Sequence, residues 1–175
     1  MTMKKLRLLG VLFLTVCMTF SLTSCALLDT ILSGDKEYRY QELVLTLDSS
    51  FTEIEAEKEN RTTFVSVSGT AVIVIKESFE SMEAKGIENP EALSLEDYRD
   101  AFNMANDYNG TIEEIDGLTA FTYNNFSEGT NYKLLVCVYR SETAFWSLQF
   151  MSLADEYDEN EKEFINWAKK VTFDE

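Results

Sequence analysis

The run Ala71-Val72-Ile73-Val74-Ile75 constrains this chain more than any other segment, because it is apolar on both faces of the strand it predicts. Successive side chains of a strand point to opposite sides. Such a run must be covered twice, so it belongs at the centre of a sheet lying between two layers. Neighbouring segments supply the rest of that sheet. Phe64 to Ser68 leads into it around Ser68-Gly69-Thr70, a hairpin signal. Thr111 to Ile115 turns at Asp116-Gly117 into Leu118 to Tyr123, and Tyr132 to Arg140 turns at Ser141-Glu142-Thr143 into Ala144 to Leu153. Turns this tight favour antiparallel pairing. Upstream, Leu43, Leu45 and Leu47 alternate with Val44 and Thr46 as an opening strand, whereas Glu53, Glu55, Glu57 and Glu59 alternate with Ile54, Ala56, Lys58 and Asn60 as a charged excursion.

Two segments carry helical spacing instead. Ser94-Leu95-Glu96-Asp97 resembles a capping box with Asp in the place of Glu or Gln, and Leu95, Tyr98, Phe102 and Ala105 follow on one face. Glu159 to Lys170 places Phe164, Trp167, Ala168 and Val171 in one stripe, with acids in its first turn and Lys169-Lys170 in its last, an order that complements the helix dipole. Both helices need a sheet face to cover. The expected class is therefore α+β: a largely antiparallel sheet of six to seven strands sandwiched between helices.

The amino terminus carries a different kind of information. Lys4, Lys5 and Arg7 form a positive segment, Leu8 to Phe20 an apolar one, and Leu22-Thr23-Ser24-Cys25 closes it. The apolar segment is shorter than the roughly 20 residues a membrane span needs. This order resembles a bacterial lipoprotein signal, in which Cys25 is lipidated and becomes the first residue of the mature protein. The resemblance implies a signal peptide over residues 1–24, a lipidated tether over 25–37 and one domain over 38–175. It also implies an extracytoplasmic location, with the bilayer itself as a partner through acylated Cys25. Stable anchoring takes two acyl chains, each buried methylene contributing about 0.8 kcal/mol, and a diacylglyceryl thioether supplies both.

Composition narrows the function classes. The formal net charge is −16, and losing Lys4, Lys5 and Arg7 with the leader makes it three units more negative. A field of that sign opposes nucleic acid, whose phosphates must be neutralised by basic side chains, and self-repulsion favours a monomer. The chain has no histidine. Cys17 leaves with the leader and Cys25 takes the lipid, so Cys137 stands alone in the apolar strand Tyr132 to Arg140 and forms no internal disulfide. Without a nearby base it reads as a core thiol and not as a nucleophile. No catalytic set and no cofactor motif is present, and the expectation is a protein that is not an enzyme.

Three groups of residues remain as candidates for binding. Asp155, Glu156, Asp158 and Glu159 could present oxygens to a hard cation, though the spacing lacks the turn glycine and terminal glutamate of an EF-hand. The competing reading is a solvated helix start. Glu113, Glu114, Asp116 and the glutamates from Glu53 to Glu59 could supply a paired acid and base for glycoside hydrolysis, although an acidic chain offers such pairs by chance. Tyr108, Tyr123 and Phe126 fall in segments read as loops, where exposed aromatic rings anchor partners.

The order of elements resembles the PsbP-like family, an α/β/α fold shared by an extrinsic subunit of photosystem II and a nuclear-import factor that binds the GTPase Ran. The residues that carry the resemblance are Leu43-Val44-Leu45-Thr46-Leu47, Leu95-Glu96-Asp97-Tyr98, Asp116-Gly117-Leu118 leading to Tyr123, Ala144-Phe145-Trp146-Ser147-Leu148-Gln149-Phe150, and Phe164-Ile165-Asn166-Trp167-Ala168-Lys169-Lys170-Val171 with Phe173. All are structural positions. The resemblance implies a fold and a non-enzymatic binding or assembly role towards an unknown protein or cell-envelope partner, and it transfers no site. A carrier of a small ligand or divalent cation is the alternative, and a hydrolase using paired carboxylates the third.

Overall fold

A computed structural model describes residues 34–55 and 59–174. The leader, Cys25 and Glu57 lie outside the described residues, as do the side chains of Glu55, Glu113 and Glu114. In chain order the elements are β1 (Asp35–Tyr40), β2 (Leu43–Asp48), β3 (Thr52–Glu55), β4 (Arg61–Val65), β5 (Ala71–Ser78), α1 (Phe79–Ala84), α2 (Leu95–Ala105), β6 (Thr111–Ile115), β7 (Leu118–Ser127), β8 (Thr130–Arg140), β9 (Ala144–Leu153), α3 (Tyr157–Lys169) and β10 (Thr172–Phe173). Seven strands form one sheet in the order β3-β4-β5-β9-β8-β7-β6, with every neighbouring pair antiparallel. The doubly apolar β5 sits inside this sheet between β4 and β9, as its side chains require.

The period of two along β9 divides the interior into two layers. Trp146, Leu148 and Phe150 join one cluster with Leu43, Leu45 and Leu47 of β2 and with Tyr157, Phe164 and Trp167 of α3. Phe145 joins the other, with Met82 of α1, Tyr98 and Phe102 of α2, and Leu134, Val136 and Val138 of β8. Fully burying side chains of this size contributes roughly 1.5–3 kcal/mol each. Tyr98 stacks on Phe145 at a centroid distance of 4.4 Å, which fixes how α2 lies on the sheet.

Four local expectations are corrected, and one further helix is added. The opening strand Leu43–Asp48 does not enter the main sheet; it is the middle of a separate three-stranded sheet, β1-β2-β10, that shares with α3 the task of covering one face. Asp35 to Glu37 belong to β1, paired from Asp35↔Asp48 to Tyr40↔Leu43, and not to a tether. The charged excursion contains the edge strand β3, where alternating glutamates suit a strand with one unpaired side. Phe79–Ala84 is a helix, started by Ser81 N–H donating to Ser78 Oγ at 3.1 Å. Finally, β7 runs past Tyr123 to Ser127 and turns through Glu128 (φ 51) and Gly129 (φ 84), a left-handed pair that matches strand twist. Its polar residues have little strand propensity of their own, and cross-strand pairing with β8 holds them.

Candidate interaction surface

Antiparallel register collects particular segments at one end of the main sheet. Ala71 pairs with Met151, and Met151 with Leu134, so the β4–β5 turn, the β9–α3 connection and the tip of the β7–β8 hairpin share that end. Gly34 is there too: its carbonyl accepts from Ser49 N–H at 2.8 Å, and it borders a groove of about 440 Å³ with Ser66, Ser68, Asn160 and Trp167. The hairpin outruns its neighbours. β6 begins opposite Thr122 and β9 ends opposite Tyr132, which leaves Phe126 to Asn131 as a short two-stranded tip. One extra bond ties it down, from Ala154 N–H to Asn131 O at 3.0 Å.

Phe126 stands on this tip at 70% exposure. Val67, 76% exposed, tops the β4–β5 turn, which is stiffened by Ser66 Oγ bonding Ser68 Oγ at 2.8 Å and Thr70 Oγ1 at 2.7 Å. Met104, 77% exposed, ends α2 where the following loop reaches β6. That loop is pinned by a reciprocal pair, Asn103 Nδ2–H to Gly110 O at 3.2 Å and Gly110 N–H to Asn103 Oδ1 at 2.9 Å. These are the three most exposed large apolar side chains among the described residues, and all lie at the Gly34 end.

The acidic run lies between them. Asp155, Glu156, Asp158 and Glu159 are exposed around a buried Tyr157, at the start of α3, where the dipole favours negative charge. Lys133 places its Nζ 4.1 Å from the Tyr157 ring centre and 4.0 Å from Asp158 Oδ1. Among the described residues no three Asp, Glu or Cys side chains converge to hold a metal ion, so the geometry does not draw these four carboxylates together.

The aromatic candidates separate on inspection. Only Phe126 is an exposed ring. Tyr123 is a buried strand residue whose hydroxyl donates to Gln149 Oε1 at 3.1 Å, and Tyr108 stacks on it at 4.2 Å. Burial, and then the neighbouring Tyr108 hydroxyl, push the Tyr123 phenol well above its ordinary value. Tyr123 belongs to the packed layer under α2 because β7 continues through the segment read as a loop, whereas Tyr108 does lie in a loop, between α2 and β6, and is half-buried by packing on that layer. Cys137 is fully buried, and burial pushes its thiol up to about 12, against a smaller opposing pull from Tyr139. It is an inert core residue. Of the paired-carboxylate candidates, Glu53 accepts from Thr62 Oγ1 at 2.8 Å and Asp116 is bound by Lys169.

Sequence reasoning missed the polar cluster at the opposite end. A cleft of about 600 Å³ is bordered there by Glu42, Arg140, Ser141, Glu142, Phe173 and Asp174. Lys76 Nζ donates to Glu42 Oε2 at 2.7 Å and to Gln41 Oε1 at 2.9 Å, and lies 5.1 Å from the Trp146 ring centre. Trp146 Nε1–H donates to Ser141 Oγ at 3.2 Å, and Ser141 Oγ donates to Glu42 Oε1 at 3.3 Å. Burial pushes the Glu42 carboxyl up, but the Lys76 hydrogen bond and charge, with a backbone bond and Ser141, outweigh it and hold it below the ordinary value. Arg140 donates to Glu91 O at 2.5 Å and Leu93 O at 3.3 Å. The Lys76–Glu42 pair, with Ser141 and Trp146, clamps the small sheet to the large one, whereas Arg140 ties the Glu91–Leu93 segment to the end of β8. The signal was weak in sequence because Glu42 and Ser141 are 99 residues apart.

No family model matches the chain, and no curated protein matches it significantly in sequence. Solved structures do. A crystal structure from Bacteroides thetaiotaomicron VPI-5482 superposes with a TM-score of 0.53 at 11% identity over 82% of this chain and 49% of that one. This chain therefore spans about half the length of that protein. Cyanobacterial PsbP (CyanoP) from Synechocystis sp. PCC 6803 superposes with a TM-score of 0.50 at 11% identity, covering 81% of this chain and 94% of its own. Mog1 is also matched, with a TM-score of 0.46 at 10% identity over 80% of this chain and 96% of its own. With a seven-stranded antiparallel sheet covered by helices on both faces, the chain has the α+β fold of the PsbP-like proteins.

Proposed function

We propose that this protein is an extracytoplasmic lipoprotein held to the cell membrane by acylated Cys25, whose single domain is a monomeric, non-enzymatic binding or assembly module. The anchoring part is supported by the order of Lys4, Lys5, Arg7, the apolar segment and Ser24-Cys25. The observation that carries the binding part is the Gly34 end, where Val67, Met104 and Phe126 are held out in water by turns and strand pairing. A net charge of −16 supports the monomer through self-repulsion.

Membrane fractionation with mass spectrometry of the amino-terminal peptide tests the anchor. The expected species begins at Cys25 with a diacylglyceryl thioether and moves to the soluble fraction in Cys25→Ala. Membrane-extracted protein with an unmodified Cys25 overturns that part. Crosslinking in intact cells, comparing the native chain with Cys25→Ala, tests the module. Recovery of no specific protein by either form overturns the binding role.

A further inference from the structure

We infer that the Gly34 end docks a cationic, apolar-tipped surface of another protein, as an acidic saddle between apolar prongs. This rests on the binding role proposed above and names the surface and the chemistry of its partner. Three observations bear on it independently. The β4–β5 turn and the β7–β8 hairpin are three strand spacings apart, about 14 Å, so Val67 and Phe126 flank the end of β9 from opposite sides. From that strand end the chain leaves as Asp155-Glu156 into Asp158-Glu159, placing the carboxylates between the prongs. Met104 extends the apolar border beyond the hairpin, above β6 and beside Ile112, with which it borders a small hollow of about 240 Å³.

Isolated exposed apolar residues are ordinary on any surface. Three at one end, each held out by its own local device, are a shape. The hairpin tip runs only two residue pairs beyond β9 and is tied at Asn131, yet it carries a phenylalanine opposite that residue that is left 70% exposed. Partner contact would cover it. The carboxylates decide the chemistry of the partner. They repel anionic headgroups and phosphate, and a second copy of this acidic chain as well, but they attract lysine and arginine. Lys133 is held by the Tyr157 ring and Asp158, which leaves the acids of the connection for an incoming cation. Placement favours a partner near the bilayer. Residues 26–33 span at most about 30 Å, so if Cys25 is anchored this end cannot lie far from the membrane.

The test uses the full chain in detergent micelles and a capped peptide of alternating lysine and leucine, followed by amide chemical shifts. The expected result is a set of shifts confined to Val67, Met104, Phe126 and Asp155 to Glu159. Affinity should fall roughly tenfold in Val67→Ser/Phe126→Ser and again in Asp155→Asn/Glu156→Gln, and stay unchanged in Glu142→Gln at the other end. A glutamate-leucine peptide should not bind. Shifts spread over the whole acidic surface, or insensitivity to the prong variants, overturn the proposal. Prong-dependent binding to phosphatidylcholine or phosphatidylglycerol vesicles without peptide binding overturns it in favour of a lipid surface. Cys25→Ala keeps the peptide affinity whichever way the anchoring question falls, so failure of the anchor and failure of this surface are distinguishable.

Discussion

At the scale of single residues, two positions show how tightly the interior is specified. Gly110 tolerates no side chain: a Cβ there would fall inside contact distance of the Phe121 ring and 3.0 Å from the Thr122 carbonyl oxygen. Gly110→Ala should therefore cost about 1–3 kcal/mol in a denaturant titration, through overpacking and loss of the Asn103 clamp. Glu42 reports on the other end. Its folded carboxyl titrates below its ordinary 4.5, so the stability it contributes is present above that value and lost as pH falls through the lower folded one. Lys76→Met should destabilise at neutral pH by about 1–3 kcal/mol, because it strands a half-buried carboxylate. Unfolding curves of the two proteins should converge below pH 4.5 as Glu42 is protonated. A gap that stays constant with pH would show that packing on Trp146, not charge, is what Lys76 contributes.

At the scale of elements, the strongest local signals were legible. Ser94 caps α2 as its spacing predicts, accepting from Asp97 N–H at 3.0 Å, and Ser94→Ala should lower stability by about 1 kcal/mol in thermal unfolding. Asp116-Gly117 turns β6 into β7 with both residues left-handed, as the dipeptide predicts. The β7–β8 hairpin escaped notice because Glu128-Gly129 replaces the usual Asn-Gly and the strand before it is polar. Glu128 pays for that position, since a left-handed residue costs roughly 1–2 kcal/mol. Glu128→Asn should recover part of this and raise the unfolding midpoint, whereas a loss of stability would mean that the glutamate makes a compensating contact. The same misreading explains Tyr123. Read as part of a loop, Tyr123 was a candidate for partners and is core once β7 is continuous; Tyr108 does lie in the loop read for it and is covered by stacking on Tyr123.

At the scale of the whole molecule, the net charge of −16 sets a testable balance. Self-repulsion of the acidic surface opposes compaction, so raising ionic strength to about 0.5 M should raise the unfolding midpoint by a few degrees. A drop would mean that ion pairs such as Lys76–Glu42 outweigh the repulsion. By itself the sequence determined the class of the fold, since a doubly apolar central strand, tight turns and two one-faced helices admit few arrangements other than a covered antiparallel sheet. It also marked Cys137 as core. Three things were decided only by tertiary structure: the removal of β2 into a separate small sheet, the clamp joining Glu42, Lys76, Ser141 and Trp146, and the gathering of Val67, Met104, Phe126 and the Asp155 to Glu159 acids at one end. The physical reason is common to all three. Periodicity encodes which face of an element is apolar, whereas contacts between segments many residues apart depend on strand order and register, which no local pattern contains.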